Sequence, residues 1–262
     1  MVLGRLREVW SLRHFWLALA KHDLKDRYRR SVLGIAWSLI KPTGMTLILT
    51  LVFTNVFNVA IQEYAPFLFL GLITWQFLHE AVVQGCNSFR LGSTYLRVRP
   101  VPIAIFPLRI VLSAGIHAAF GLGAALVAIG ILKGFAEPLA LLALAPALVI
   151  LAITAWSLAC LCGILYTLFS DTQQIAEITL QALFYATPVI YLPESLYPSG
   201  WLHTLVVCNP FASHLELIRR PLLYSELPSV NALAIALAFM VMTTVLAWWS
   251  LCRVERRMVL WL

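Results

Sequence analysis

Six long apolar stretches alternate with short polar segments along the chain, at about 45–59, 66–86, 106–132, 139–169, 175–191 and 230–252. Charged residues are scarce inside them and gather at their ends. A hydrocarbon core about 30 Å thick requires about 20 apolar residues of helix to cross it. Within that core only helices or closed barrels satisfy the backbone, and continuous apolar runs exclude the alternating pattern of a barrel. The pattern predicts an all-α membrane protein with six transmembrane helices, forming one transmembrane domain over residues 1–262.

The segments between the spans carry patterns of their own. Residues 11–30 read as an amphipathic interface helix, with Leu12, Phe15, Trp16, Leu19 and Leu24 near one face and Tyr28 extending it. Lys21, Lys25 and Arg29 follow at steps of four, joined by Arg27 and Arg30, as expected for a basic face toward anionic lipid or a partner. Asp23 and Asp26 favour a partner, because lipid binding gains nothing from them. Pro42 loosens the chain and predicts a bend between surface helix and first span.

Residues 88–98 predict a short helix stopped by the prolines at 100 and 102, within a basic connection over 88–107. Gly115, Ala119, Gly123 and Val127 form a small face that lets membrane helices approach closely. Between 192 and 227 the prolines at 193, 198, 210 and 221 separate two apolar pieces, about 201–208 and 211–224. Both are too short to span. They predict two external re-entrant helices before the last span, which makes this segment the gate candidate, since irregular backbone at depth survives only beside protein or a water-filled cavity.

Composition narrows the function. Apolar residues make up 61% of the chain, charged residues 12%, and the mean hydropathy is +0.87. Soluble domains carry roughly 25% charged residues, so no sizeable water-soluble domain is expected. None of the thirteen glycines belongs to a G-x-x-x-x-G-K-[ST] loop. Any ATP and Mg would therefore be bound by a separate chain, and this one is expected to hold no cofactor.

The net charge of +7 is topological. Arginines and lysines crowd the N-terminal segment up to Arg30, the connection holding Arg90, Arg97, Arg99 and Arg109, and the tail at Arg253, Arg256 and Arg257. The positive-inside rule then places both termini in the cytoplasm and leaves no reason to expect nucleic acid. The N-terminal segment is charged and amphipathic, so no cleavable signal peptide is expected.

Catalytic and metal chemistry find little support. The five cysteines show no C-x-x-C and read as small buried hydrophobes. The six histidines show no metal-ligand spacing and read as ordinary interface residues. Glu194, Ser195 and His203 lack a G-x-S-x-G elbow. Glu80 and Glu177 lie toward the ends of their spans, which suits a structural helix-end role better than a proton relay. Glu216 and Arg219 stand at i,i+3 and are expected to pair.

Three blocks carry a family resemblance. The first runs from Asp23 through Lys25, Arg27, Tyr28, Arg29, Arg30, Gly34 and Trp37 to Lys41 and Pro42; the second from Phe184 and Tyr185 through Pro188 to Tyr191 and Pro193. The third is Asn209, Pro210 and Phe211, followed by Glu216 and Arg219. Together with the order of spans, they resemble the permease subunit of type-2 ABC exporters, in the branch that exports lipid-linked polysaccharide such as O-antigen, capsule or teichoic acid precursors.

The resemblance implies a channel formed by two copies of the chain in the bacterial inner membrane, with two ATPase subunits docked beneath and lipid-linked polysaccharide as substrate. It implies ATPase coupling through Arg90, Tyr95, Leu96, Arg97 and Arg99. It implies an external gate at Asn209, Pro210, Phe211, Glu216 and Arg219. Channel-lining aromatics would be Trp37, Phe53 and Phe57 on the first span and Phe184, Tyr185 and Tyr191 on the fifth, where sugar C–H faces pack on rings. The rival readings are export of capsule or teichoic acid, export of a drug or small lipid by the same superfamily, and a membrane-embedded sugar transferase. The last should show clustered acids or histidines at one interface, which the sequence lacks.

Overall fold

The computed structural model describes residues 2–29, 31–98, 101–134, 137–192 and 201–261, and all regular structure among them is helical. Two helices, α1 (Val2–Ser11) and α2 (Arg13–Tyr28), precede a short 3-10 turn at Gly34–Ala36. The bundle follows: α3 (Trp37–Phe57), α4 (Ile61–Cys86), the short α5 (Ser88–Val98), α6 (Ile105–Lys133) and α7 (Pro138–Leu168). Last come α8 (Thr172–Ala186), α9 (Trp201–Val207), α10 (Pro210–Tyr224) and α11 (Val230–Trp261).

Among the described residues five segments are long and apolar enough to cross a membrane: Gly34–Thr54, Ile61–Cys86, Ile105–Ile131, Pro138–Leu168 and Val230–Val254. The stretch expected over 175–191 forms only the 15 residues of α8 and ends at Ala186, about 22 Å of rise. The first crossing begins earlier than its apolar run suggests. The bend lies at residues 31–36, where Gly34 takes φ +49°, and Pro42 sits inside α3. A left-handed residue without a Cβ turns the chain at lower steric cost than a break at Pro42.

The core is built around α4. Tyr64, Phe67, Leu68, Leu70, Ile73, Trp75, Phe77, Leu78, Ala81 and Val82 are all buried, as expected of a helix apolar on every side. Helices α3, α6, α7, α8 and α10 pack against it, and α11 packs chiefly on α7. Hydroxyls on these buried helices bond back into their own backbone: Thr74 to the Leu70 carbonyl at 2.8 Å, Thr154 to Ile150 at 2.9 Å and Ser157 to Ile153 at 2.8 Å. That is the inexpensive way to carry a hydroxyl in an apolar interior.

Small residues set the crossings, though not those expected. A Cβ at Gly85 would come within 2.7 Å of the Ala159 Cα, and one at Gly163 within 2.8 Å of the Gly85 carbonyl, so α4 and α7 nearly touch there. On α6 the contact face runs through Val111, Ala114, Gly121, Leu122, Ala125 and Ile129. Of the face through Gly115, Ala119, Gly123 and Val127, only Gly115 lies beside Phe77 of α4: nothing lies within 4 Å of Gly123, and Ala119 and Val127 are exposed. Bulky Val111, Leu122 and Ile129 bury more apolar surface against α4 than the small face could, and this decides the rotation of the helix.

Candidate functional site

The structure places the predicted functional residues at two ends of the bundle, on either side of α4. One end gathers around α2. Arg27 Nη1 lies 3.2 Å from Glu80 Oε1, and Arg109 Nε lies 3.4 Å from Asp23 Oδ2. The Tyr28 hydroxyl lies 3.2 Å from His117 Nδ1, which also meets Ser38 Oγ at 2.7 Å. Three side chains of the interface helix are thus tied to α4, α6 and the start of α3. Lys21, Lys25 and Arg29 are exposed, while Arg30 lies outside the described residues.

Between these groups lies a cavity of about 440 Å³, lined among others by Arg27, Trp37, Lys41, Gln76, Glu80 and His117. Burial raises the Asp23 carboxyl above its usual range against the opposing pull of Arg109. Sequence alone assigned Arg109 to a connection and His117 to an interface. Both are buried inside α6, because that helix begins at Ile105 and carries them into the bundle. Their signal was present in the apolar residues flanking them.

Helix α5 is seated from one side. Phe89 is fully buried against Gly163, and the Phe106 ring occupies the space a Cβ at Gly92 would need. Arg90 lies 5.6 Å from the centre of the Tyr166 ring, and Tyr95 meets Phe15 edge-on at 5.9 Å. Leu96 and Arg97 belong to the last turn of α5, with side chains outside the described set, and Arg99 lies outside the described residues. Nearby, Asn87 Nδ2 donates to Gln173 Oε1 at 2.6 Å, and Gln173 Nε2 donates to Glu177 Oε1 at 3.3 Å. Glu177 therefore has a helix-end partner.

The other end joins α10 to the turn that follows α8. Asn209 caps α10 by accepting from the Phe211 N–H at 2.9 Å, with Pro210 at the first helical position. Its amide also donates to Thr187 Oγ1 at 3.0 Å. Arg219 is buried and donates to three backbone carbonyls, of Phe67, Pro188 and Val189, at 3.1, 2.6 and 2.8 Å. The expected Glu216–Arg219 pair does not form. Glu216 instead lies 3.7 Å from Arg220 and accepts from the Ser229 N–H at 3.3 Å. The Arg219 side chain is on the face toward α4, and there it donates to backbone carbonyls of α4 and of the turn after α8. A guanidinium keeps its proton at neutral pH, so the group is charged there.

The candidate channel aromatics divide. Phe184 packs into a ring ladder with Trp75 at 5.7 Å, and Trp75 meets Phe211 at 5.8 Å. Phe53 is partly buried against the same core. Tyr185 stands out at 64% exposure, next to Phe184 at 5.3 Å, and Trp37 is 40% exposed beside the cavity. Tyr191 donates to the Ala186 carbonyl at 3.1 Å, and the Phe57 side chain is outside the described set. His214 is also buried, lying 2.6 Å from the Pro210 carbonyl and 3.1 Å from Thr154 Oγ1.

Comparison with known proteins bears on this arrangement. Residues 14–223 match the profile of a family described as ABC-2 type transporter. The chain is 26% identical over 244 residues to the O-antigen export system permease protein RfbA of Myxococcus xanthus, covering 93% of this chain and 92% of the relative. It is 27% identical over 202 residues to the protein of the same name in Klebsiella pneumoniae, covering 75% of each.

Proposed function

The chain belongs to the ABC-2 type transporter family, and on that premise we propose that it is the channel-forming permease of an ATP-driven exporter of lipid-linked polysaccharide, O-antigen foremost. The observation that carries this reading is the near full-length similarity to a protein named as an O-antigen export permease, on a chain whose described helices are mostly apolar bundle. Two copies would form the passage in the inner membrane, with both termini in the cytoplasm. A separate pair of ATPase subunits would bind ATP and Mg and dock at α5.

In this reading α8 and the turn to Leu192 make a short sixth crossing, and α9 and α10 dip into the membrane from the outer side. The second copy has surface to bind. Leu47, Ile48, Leu51 and Val52 on α3, and Ile175 and Ile178 on α8, are all exposed in the single chain. Exposed apolar faces of this size mark contact with a partner or with lipid.

Cells lacking the chain are expected to lose surface O-antigen and to accumulate the polyprenyl-linked polymer inside, with wild-type protein restoring export. Normal surface glycan, or accumulation of a small drug in its place, would overturn the proposal. Tyr185→Ala in the restored strain is expected to slow polymer appearance while ATP hydrolysis by the assembled complex is retained.

A further inference from the structure

The turn that ends α8 has an unusual way of meeting its backbone requirement. Thr187 is extended, and the carbonyls of residues 188–190 have left the helix. Carbonyls beyond a helix end have no helical partner and are costly if left dry. Here each is met by a side chain from another element. Arg219 Nη1 and Nη2 donate to Pro188 and Val189, and the Tyr64 hydroxyl donates to the Ile190 carbonyl at 2.8 Å.

Arg219 reaches them by passing across α4. Its Nε donates to the Phe67 carbonyl, and its guanidinium carbon lies 3.5 Å from the centre of the Phe67 ring. The passage exists because residue 71 is glycine. A Cβ there would collide with Arg219 Nη2 and come within 2.9 Å of the Val189 carbonyl. Among the described residues no carboxylate pairs with Arg219, so its charge is met by backbone oxygens and the Phe67 ring. A planar fork of five donors can reach three carbonyls at once, and a lysine ammonium on a flexible stem does not reproduce that geometry.

We propose that Arg219 is a positioning residue that clasps the end of α8 to α10 through a notch in α4 at Gly71, so that these three elements move as one body. Tyr185 and Tyr191 flank the clasped turn and take their placement from it, although Arg219 itself touches no substrate. The consequence for export rests on the exporter reading above; the clasp does not.

Hydrogen exchange on the full chain in its assembled complex, in lipid nanodiscs, tests the clasp. In Arg219→Met and in Gly71→Ala, amides of residues 189–192 should exchange about tenfold faster or more, while those of 151–159 in α7 stay protected; loss of a hydrogen bond to a charged group is large enough for this. Arg219→Lys should fall between these variants and wild type. In cells the same variants should export about fivefold less polymer, with ATP hydrolysis by the purified complex held within about twofold, as expected when positioning and not assembly is lost.

Unchanged exchange at 189–192, or acceleration spread evenly over the chain, overturns the clasp. So does wild-type protection in Arg219→Lys, which would show that the fork is dispensable. Local loosening with undiminished export overturns the positioning role. Local loosening in a protein that exports no glycan even as wild type supports the clasp and removes the exporter reading instead.

Discussion

The two ends of the bundle hold charge in opposite ways. Around α2, cation meets anion: Arg27 with Glu80 and Arg109 with Asp23, beside a cavity of about 440 Å³ that reaches the surface. Around α10, a single guanidinium meets three carbonyls and an aromatic face, with Gly71 cut away to admit it. The first arrangement is made between side chains of which several are partly exposed, so water can replace a lost partner. The second is buried and directed at backbone, where losing the guanidinium leaves carbonyl oxygens that no change elsewhere can remove. The cost of breaking either follows from how far its groups have been taken out of water.

The largest effect is expected at the α2 end. Glu80→Lys would set a third cation beside Arg27 and Lys41 and is expected to lower the amount of assembled permease in membranes about fivefold. Exchanging the pair, Arg27→Glu with Glu80→Lys, should restore at least half of it in a quantitative immunoblot. No recovery would mean that ion pairing is not what docks α2. Next in size, Asn209→Ala removes the cap of α10 and its link to Thr187. A cost of about 1 kcal/mol is expected, seen as a midpoint about 2–4 °C lower in thermal unfolding of the purified complex.

The smallest effect is expected from pH. Burial raises the Asp23 pKa in the fold, so the folded state binds the proton more readily than the unfolded chain. Stability from this carboxyl therefore rises as pH falls through that raised value, the reverse of an ordinary salt bridge. Wild-type protein should accordingly keep α2 docked on mild acidification, and Asp23→Asn should flatten the residual pH dependence of a thermal melt on the side above the ordinary carboxylate range. A wild-type melt that weakens steadily on that side, and is flattened by the same substitution, would show that Arg109 dominates over burial.

Much of the fold was legible because it follows from runs and periods. Five of the six apolar stretches became helices long enough to cross, and α2 and α5 fall where amphipathic spacing and prolines place them. The partial miss at 175–191 has a local cause: Thr187 and Pro188 end the helix, and the residues after them are held by other elements instead of by helical bonds. The small face of α6 was misread because helical rotation is decided by which stripe buries more surface on α4, and both stripes are apolar. Glu216 and Arg219 were paired by spacing alone, whereas the arginine had better partners across the bundle.

Linear order was enough to fix a helical membrane chain with a helix in front of its first span, since hydropathy and charge placement are properties of that order and the bilayer reads them directly. Which buried polar groups face one another was set by helix packing. Arg109 with Asp23, His117 with Ser38, and Arg219 with the turn after α8 join residues far apart in the chain. Such contacts depend on helix rotation and on glycine notches one atom deep, and packing of whole helices fixes those together, at distances that spacing along the chain does not encode.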